Sequence, residues 1–233
     1  MLASEVSTAV YGTLSDKGLY SGYISSDKIQ SQSAYIVSKK PVYDNFPGIV
    51  TAIAHLSDGT QKAVVTPRHE IMYEPEIVNR LEALRHVKIE KLNCLYEKSC
   101  GAVILRREKG TDDYKVLLVK NHNGRFYSFP KGHIEFRESE KETAIREIKE
   151  ETNIDVDIID GFREISDYCP FGKIRKRVVF FLAMAKNNNI KIQESEIDSY
   201  TWVPLNGRIN VNTYENDTRV MEKVRKFLDT RKA

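Results

Sequence analysis

GHIEFRESEKETAIREIKEETNI, residues 132–154, sets Glu147, Glu150 and Glu151 on one expected helix behind a turn at Gly132. Positions 147 and 151 are one turn apart and 147 and 150 nearly so, which points their side chains toward a common edge. Like charges at such spacing repel by a few tenths, ~0.2–0.5 kcal/mol per pair. A hard divalent cation reverses that sign by taking the carboxylate oxygens as ligands. Arg146 can reach Glu142 or Glu150 at i,i+4 spacing, or fold back on Glu138, and so fix a carboxylate rotamer. Ala144, Ile145 and Ile148 form a narrow apolar stripe, expected to seat the helix on a sheet and leave the charged edge facing outward. The bland alternative is a solvated helix whose charges merely pair with one another.

Spacing favours the metal platform. Gly132, Glu138, Arg146, Glu147, Ile148, Glu150, Glu151 and Ile154 fall into the Nudix box, GX5EX7REUXEEXGU with U aliphatic. From average residue usage, that many coincidences occur on the order of once in a million sequences of this length. The chain is therefore identified as resembling the Nudix hydrolases. One position departs: Asn153 stands where the family has its second glycine, and asparagine is the next-best residue for a left-handed helix end.

The whole chain has 233 residues, 41% hydrophobic and 30% charged, enough for one large or two small cores. Two domains are expected, 1–94 and 95–233. Net charge is +3, and the first 94 residues balance ten basic against ten acidic, so no basic track for nucleic acid is present there. Cys94, Cys100 and Cys169 form no CxxC and make an odd total, which suits reduced thiols acting as small buried hydrophobes. No leader pattern or membrane-length apolar run occurs, so a soluble, cytoplasmic protein with no membrane partner is expected.

From position 98 onward, SCGAVILRRE and YKVLLVKN read as paired strands joined at KGTDD, followed by the loop NHNGR and by FYSFPKG leading into the box. VDIIDGFREISDY, RKRVVFFLAMA and SYTWVPL read as further strands, and DTRVMEKVRKFLDT as a helix with Val220, Val224, Phe227 and Leu228 on one face. Pattern alone reaches α/β or α+β. The resemblance implies α+β with a Nudix α/β/α sandwich on a mixed sheet. The first part is rich in tyrosine, with strand-like SAYIVSKKPVY, GIVTAIAHL and KAVVTP, a turn at SDGTQ, and a helical EPEIVNRLEALRHV. It predicts a small, mostly β, barrel-like domain. The run from SAYIVSKK to KAVVTP faintly resembles the core of soluble inorganic pyrophosphatases, an oligonucleotide-binding-like barrel. QSQS at 30–33 replaces that family's metal-holding acids, so no active site carries over. His55 and His69 have no second ligand at metal spacing and read as ordinary residues.

FPKGHIE matches the PKGH-x-E signature of the asymmetrical bis(5'-nucleosyl)-tetraphosphatases, and similarity to them extends over residues 98–230. The resemblance implies hydrolysis of a pyrophosphate bond in a nucleoside polyphosphate, with Mg2+ (or Mn2+) held by Glu147, Glu150, Glu151 and Gly132. It implies catalytic roles for Glu151, Glu147, Arg146 and Glu196, the last lying six residues before Trp202, with Glu194 as its substitute. It implies substrate binding by Lys131, His133, Lys176, Tyr168 and Tyr214, with Tyr214 able to stack on an adenine. Phe180 replaces a frequent tyrosine and reads as core. The expected partner is a small nucleotide, diadenosine tetraphosphate foremost, and a homodimer is left open. Pro170, sixteen residues beyond Ile154, keeps ADP-ribose or a nucleotide sugar as an alternative substrate. A non-catalytic nucleotide sensor and a hydrolase of RNA 5' ends are the competing classes.

Overall fold

The computed structural model of the chain describes residues 1–231 apart from 86, 109, 112, 136 and 171. Its backbone forms two compact units, Met1–Lys98 with Tyr168–Lys176, and Ser99–Asp167 with Arg177–Ala233. The first unit thus takes in 95–98 and 168–176, which the sequence boundary at 94/95 assigned to the second.

In the first unit, short runs of β-branched residues and tyrosine, broken by Gly, Asp and Ser, become β1 (Glu5–Ser15), β2 (Leu19–Ser26), β3 (Ile29–Val37), β4 (Phe46–Leu56) and β5 (Gln61–Pro67). They pair in the order β1-β2-β3-β5-β4, and β4 returns to β1 from Glu5↔Ile49 to Thr8↔Phe46, closing the expected barrel. The β3–β5 pair is parallel and the others antiparallel. Closure satisfies strand edges that would otherwise recruit another chain. The SDGTQ turn forms: Asp58 Oδ1 accepts from Thr60 N at 2.9 Å, and Gly59 takes φ 81°. Past Val37 only Ser38 N still donates toward β2, to the Gly18 carbonyl at 3.0 Å; Lys39 N turns to Glu70 Oε2 at 2.7 Å, and Pro41 has no donor.

Helix α1 (Glu74–Leu81) puts Ile77 and Leu81 into a core with Leu19, Tyr35, Ala52 and Val64. It is shorter than the 74–87 that its apolar spacing suggested. Leu84 reaches the same core from the turn that follows, so its burial does not require helix; position 86 lies outside the described residues. Strand β6 (Ile89–Cys94) then pairs antiparallel with β4.

The second sheet contains β7 (Tyr96–Arg107), β8 (Tyr114–Asn121), β9 (Tyr127–Ser128), β10 (Lys131–His133), β11 (Val156–Tyr168), β12 (Arg175–Ala185) and β13 (Ile197–Pro204). Its order is β11-β12-β7-β8-β13, with β10 on β7 and β9 on β8. The turn expected at KGTDD includes positions 109 and 112, which lie outside the described residues, as does position 171, next to Pro170. Along β12 every residue from Val178 to Ala183 is buried, so both faces of the strand are covered. Val179, Phe181 and Ala183 share a core with Cys100, Ala102, Ile104, Leu117 and with Ala144 and Ile148 of helix α2 (Glu140–Thr152). The opposite parity includes Phe180, edge-on to Phe129 at 5.2 Å, in agreement with its reading as core. Helix α3 (Glu215–Thr230) buries Val220, Met221 and Val224 and sets Phe227 edge-on to Phe162 of β11. The fold is α+β, as expected.

Cys94 and Cys100 are buried, as anticipated, whereas Cys169 is exposed, since it follows the end of β11. None of the three forms a disulfide among the described residues. Among the described residues, no helix is long and apolar enough to cross a membrane.

Candidate active site

Helix α2 is fixed at both ends. Ser139 accepts from Glu142 N at 3.2 Å while Glu142 Oε2 accepts from Ser139 N at 2.7 Å, a closed capping box. At the other end Asn153 adopts φ 57° and ψ 14°, the left-handed conformation its place in the motif calls for. The hydrogen bonds of Glu142 are to Ser139, and Arg146 bonds Glu138 and Glu150 instead.

The buried face of this helix differs from the expectation. Ala144 and Ile148 are fully buried, but Ile145 is 44% exposed. Glu147 and Glu151, expected to face outward, are only 8% and 3% exposed; Glu150 alone faces solvent. The cause is angular: the buried arc also takes in Thr143 and Thr152, and at 100° per residue Glu147 and Glu151 fall between Thr143 and Ala144, inside it, while Ile145 falls beyond Thr152. Space for Glu147 comes from Gly132 on β10. A Cβ at Gly132 would stand 2.1 Å from the Glu147 Cδ, so a larger residue there would displace the carboxylate from its present position.

Arg146 organises the acids. Its Nε and Nη2 donate to Glu138 Oε1 and Oε2 at 2.6 and 2.9 Å, and its Nη1 donates to Glu147 Oε1 at 2.8 Å and Glu150 Oε2 at 2.9 Å. Nη2 also donates to the His133 carbonyl at 2.9 Å, tying α2 to β10. The guanidinium holds the Glu138 carboxyl down at about 2. Glu151 faces the other way and accepts from Lys131 N at 3.2 Å. Burial pushes its carboxyl up to about 8, against the opposing charge of Lys131, with Glu147 and Glu196 adding to the rise. Glu147 is raised as well, chiefly by burial.

Glu196, on the exposed loop before β13, contributes charge at both Glu147 and Glu151 and accepts from Gln193 Nε2 at 3.2 Å. Lys131, Gly132, His133, Arg146, Glu147, Glu150, Glu151 and Glu196 therefore belong to one neighbourhood of the second unit. Tyr214 caps α3 in the same unit, half exposed, its ring tilted against Phe126 at 5.0 Å. Tyr168 and Lys176 belong to the first unit, where Lys176 Nζ lies 3.9 Å from Glu97.

Among the described residues, no three His, Cys, Asp or Glu side chains converge into a ready-made metal cage. Arg146 draws Glu150 aside and Lys131 N draws Glu151. The donor set nonetheless suits Mg2+, which keeps several waters and is held by one or two carboxylates together with substrate phosphates. The network joins five carboxylates (Glu138, Glu147, Glu150, Glu151, Glu196) to two cations (Arg146, Lys131), leaving negative charge for a metal to neutralise.

Sequence reading passed over three participants. Asp217, in the first turn of α3, is 5% exposed and is pushed up to about 6 by burial. Ser128 accepts from Lys131 Nζ at 3.0 Å. Phe126 meets Tyr214. In sequence Asp217 reads as an ordinary helix-start carboxylate, and nothing there signals its burial.

Residues 96–221 match the NUDIX domain. The chain is similar to the asymmetrical bis(5'-nucleosyl)-tetraphosphatase of Sus scrofa, 31% identical over 140 residues that make up 56% of this chain and 95% of that protein. The same enzyme of Mus musculus matches at 31% over the same shares. In structure it resembles a C. elegans Ap4A hydrolase binary complex, with TM-score 0.52, 29% identity, and coverage of 57% of this chain and 98% of that one.

Proposed function

The chain belongs to the Nudix family and is a pyrophosphohydrolase of nucleoside polyphosphates, and from that premise we propose that it cleaves a dinucleoside polyphosphate, diadenosine tetraphosphate foremost, into ATP and AMP in the presence of Mg2+. The observation that carries this reading is the FPKGHIE segment. It supplies the Gly132 cradle for Glu147, the Lys131 amide for Glu151 and the His133 carbonyl for Arg146. The relatives that resemble this chain include hydrolases named for that substrate.

Glu147, Glu150 and Glu151, with the Gly132 backbone, would hold the metal. A bound divalent cation supplies neutralisation of the diphosphate and a lowered pKa for water. Arg146 orients Glu147 and Glu150 and stays off the substrate. Water adds to phosphorus, the bridging P–O bond breaks, and the departing phosphate takes the electron pair. Glu196 accepts the proton released by the water, from an exposed position whose charge is felt at both buried glutamates. Lys131 and His133 flank the phosphates, and Tyr214 with Phe126 offers a face to a nucleobase. The protein acts in the cytoplasm on small nucleotides.

Glu150→Gln and Glu151→Gln are expected to abolish turnover of diadenosine tetraphosphate, followed by nucleotide chromatography, with circular dichroism unchanged. Normal activity in both variants refutes the metal assignment. Faster turnover of ADP-ribose or of 5'-triphosphate RNA than of diadenosine tetraphosphate in the same panel refutes the substrate.

A further inference from the structure

Asp217 is a carboxylate that the proposed reaction does not use, and its position is costly. It is 5% exposed, and its Oδ2 has no hydrogen-bond partner. Burying a polar group without a partner is unfavourable, and more so when it is charged, so such an atom calls for an explanation.

The backbone brings it beside the site. Tyr127 N donates to the Asn212 carbonyl at 2.8 Å, and Tyr127 bridges to Thr213, so β9 lies along the segment that opens α3. The next residue of β9 is Ser128, whose hydroxyl accepts from Lys131 Nζ at 3.0 Å. The charge that opposes burial at Asp217 is Lys131, and the same ammonium is the main opposing charge at Glu151. Two buried carboxylates thus share one cation. Among the described residues, Lys131 makes an ion pair with neither; a neutral hydroxyl holds its ammonium.

We propose that Asp217 is a positioning residue for Lys131: together with Ser128 it keeps the ammonium from closing on Glu151, and so leaves Glu151 open to a divalent cation. Without the Asp217 carboxylate, the ammonium has a single buried carboxyl left and pairs with its ionised form, the form a metal also needs. This inference rests on the metal role of Glu151 proposed above.

The test is Mn2+ titration by calorimetry on the full chain without substrate, for wild type, Asp217→Asn, Lys131→Gln and the double variant. Asp217→Asn is expected to weaken Mn2+ binding about three- to tenfold, in the range of coupling between neighbouring charged groups. In the Lys131→Gln background the same change is expected to have no effect. Ser128→Ala, a small change that keeps the fold even if Asp217→Asn does not, is expected to weaken binding in the same direction, again only when Lys131 is present. Unchanged affinity in Asp217→Asn or Ser128→Ala, or a loss that persists undiminished in the Lys131→Gln background, overturns the proposal while leaving the metal site standing. A wild type that binds no Mn2+ overturns the metal reading, and this inference with it.

Discussion

Gly132 is tied to its neighbour by contact rather than by backbone strain. A methyl group there would sit on the Glu147 carboxylate, 2.2 Å from Oε1, and one of the two must move. Gly132→Ala is therefore expected to lower kcat/KM by about 100-fold, the usual consequence of misplacing a reacting group by an ångström. Its melting temperature should stay close to wild type, and differential scanning calorimetry with steady-state kinetics checks both. Arg146 is the opposite case, a side chain that must be present. Removing it strands the largely buried Glu138 and Glu147 and releases the exposed Glu150. Arg146→Ala should lose about 2 kcal/mol in urea denaturation, a value set by charged hydrogen bonds that are a quarter exposed.

At the scale of the element, α2 holds its row of glutamates in place because both its ends are fixed. The capping box at Ser139 satisfies amides that would otherwise fray, and Ser139→Ala is expected to cost about 1 kcal/mol by thermal unfolding. Asn153→Gly should match or exceed wild-type stability, because the φ of 57° that asparagine tolerates suits glycine better; Asn153→Val should be clearly less stable. A Val variant as stable as wild type would show that the left-handed end does not matter. Lateral ties add to this. Arg163 of β11 forks onto Glu140 at 2.7 and 2.8 Å, holding the first turn of the helix to the sheet. The spacing of the box glutamates and the 3.6-residue period are legible in the amino-acid order itself. The rotation of the helix about its axis is not: it is set by Ala144 and Ile148 entering a core built from β7, β8 and β12, strands far apart in sequence. That rotation is what buries Glu147 and Glu151.

For the molecule as a whole, buried acids make stability depend on pH in a direction that can be worked out. Glu151 and Asp217 have folded values of about 8 and about 6, above their ordinary 4.5 and 3.8. Between those limits the folded chain binds more protons than the unfolded one, so stability falls as pH rises. Glu138, at about 2, acts oppositely: its contribution is full above 4.5 and is lost as pH falls toward 2. In EDTA, the melting temperature should decline from about pH 5 to about pH 8. Glu151→Gln should remove the decline above about pH 6, and Asp217→Asn should flatten the part below it. Mg2+ should raise the melting temperature most above about pH 8, where Glu151 has lost its proton. A flat profile in EDTA would show that these carboxyls titrate normally.

Local chemistry was legible from the chain. The box spacing pointed to the family and, through that resemblance, to the sandwich; the Asp-Gly turn at 58–59 and the left-handed Asn153 followed from backbone preferences, and strand-like runs predicted the barrel ahead of it. Those are short-range properties, fixed by sterics and by spacing within a dozen residues. Only the tertiary structure decided which box glutamates are buried, that Arg146 holds three of the acids, and that 168–176 belongs to the first unit. It alone put Asp217, 86 residues after Lys131, within reach of that ammonium's field. Burial and electrostatic pairing depend on which distant segments the sheet brings together, and no local pattern of residues encodes that.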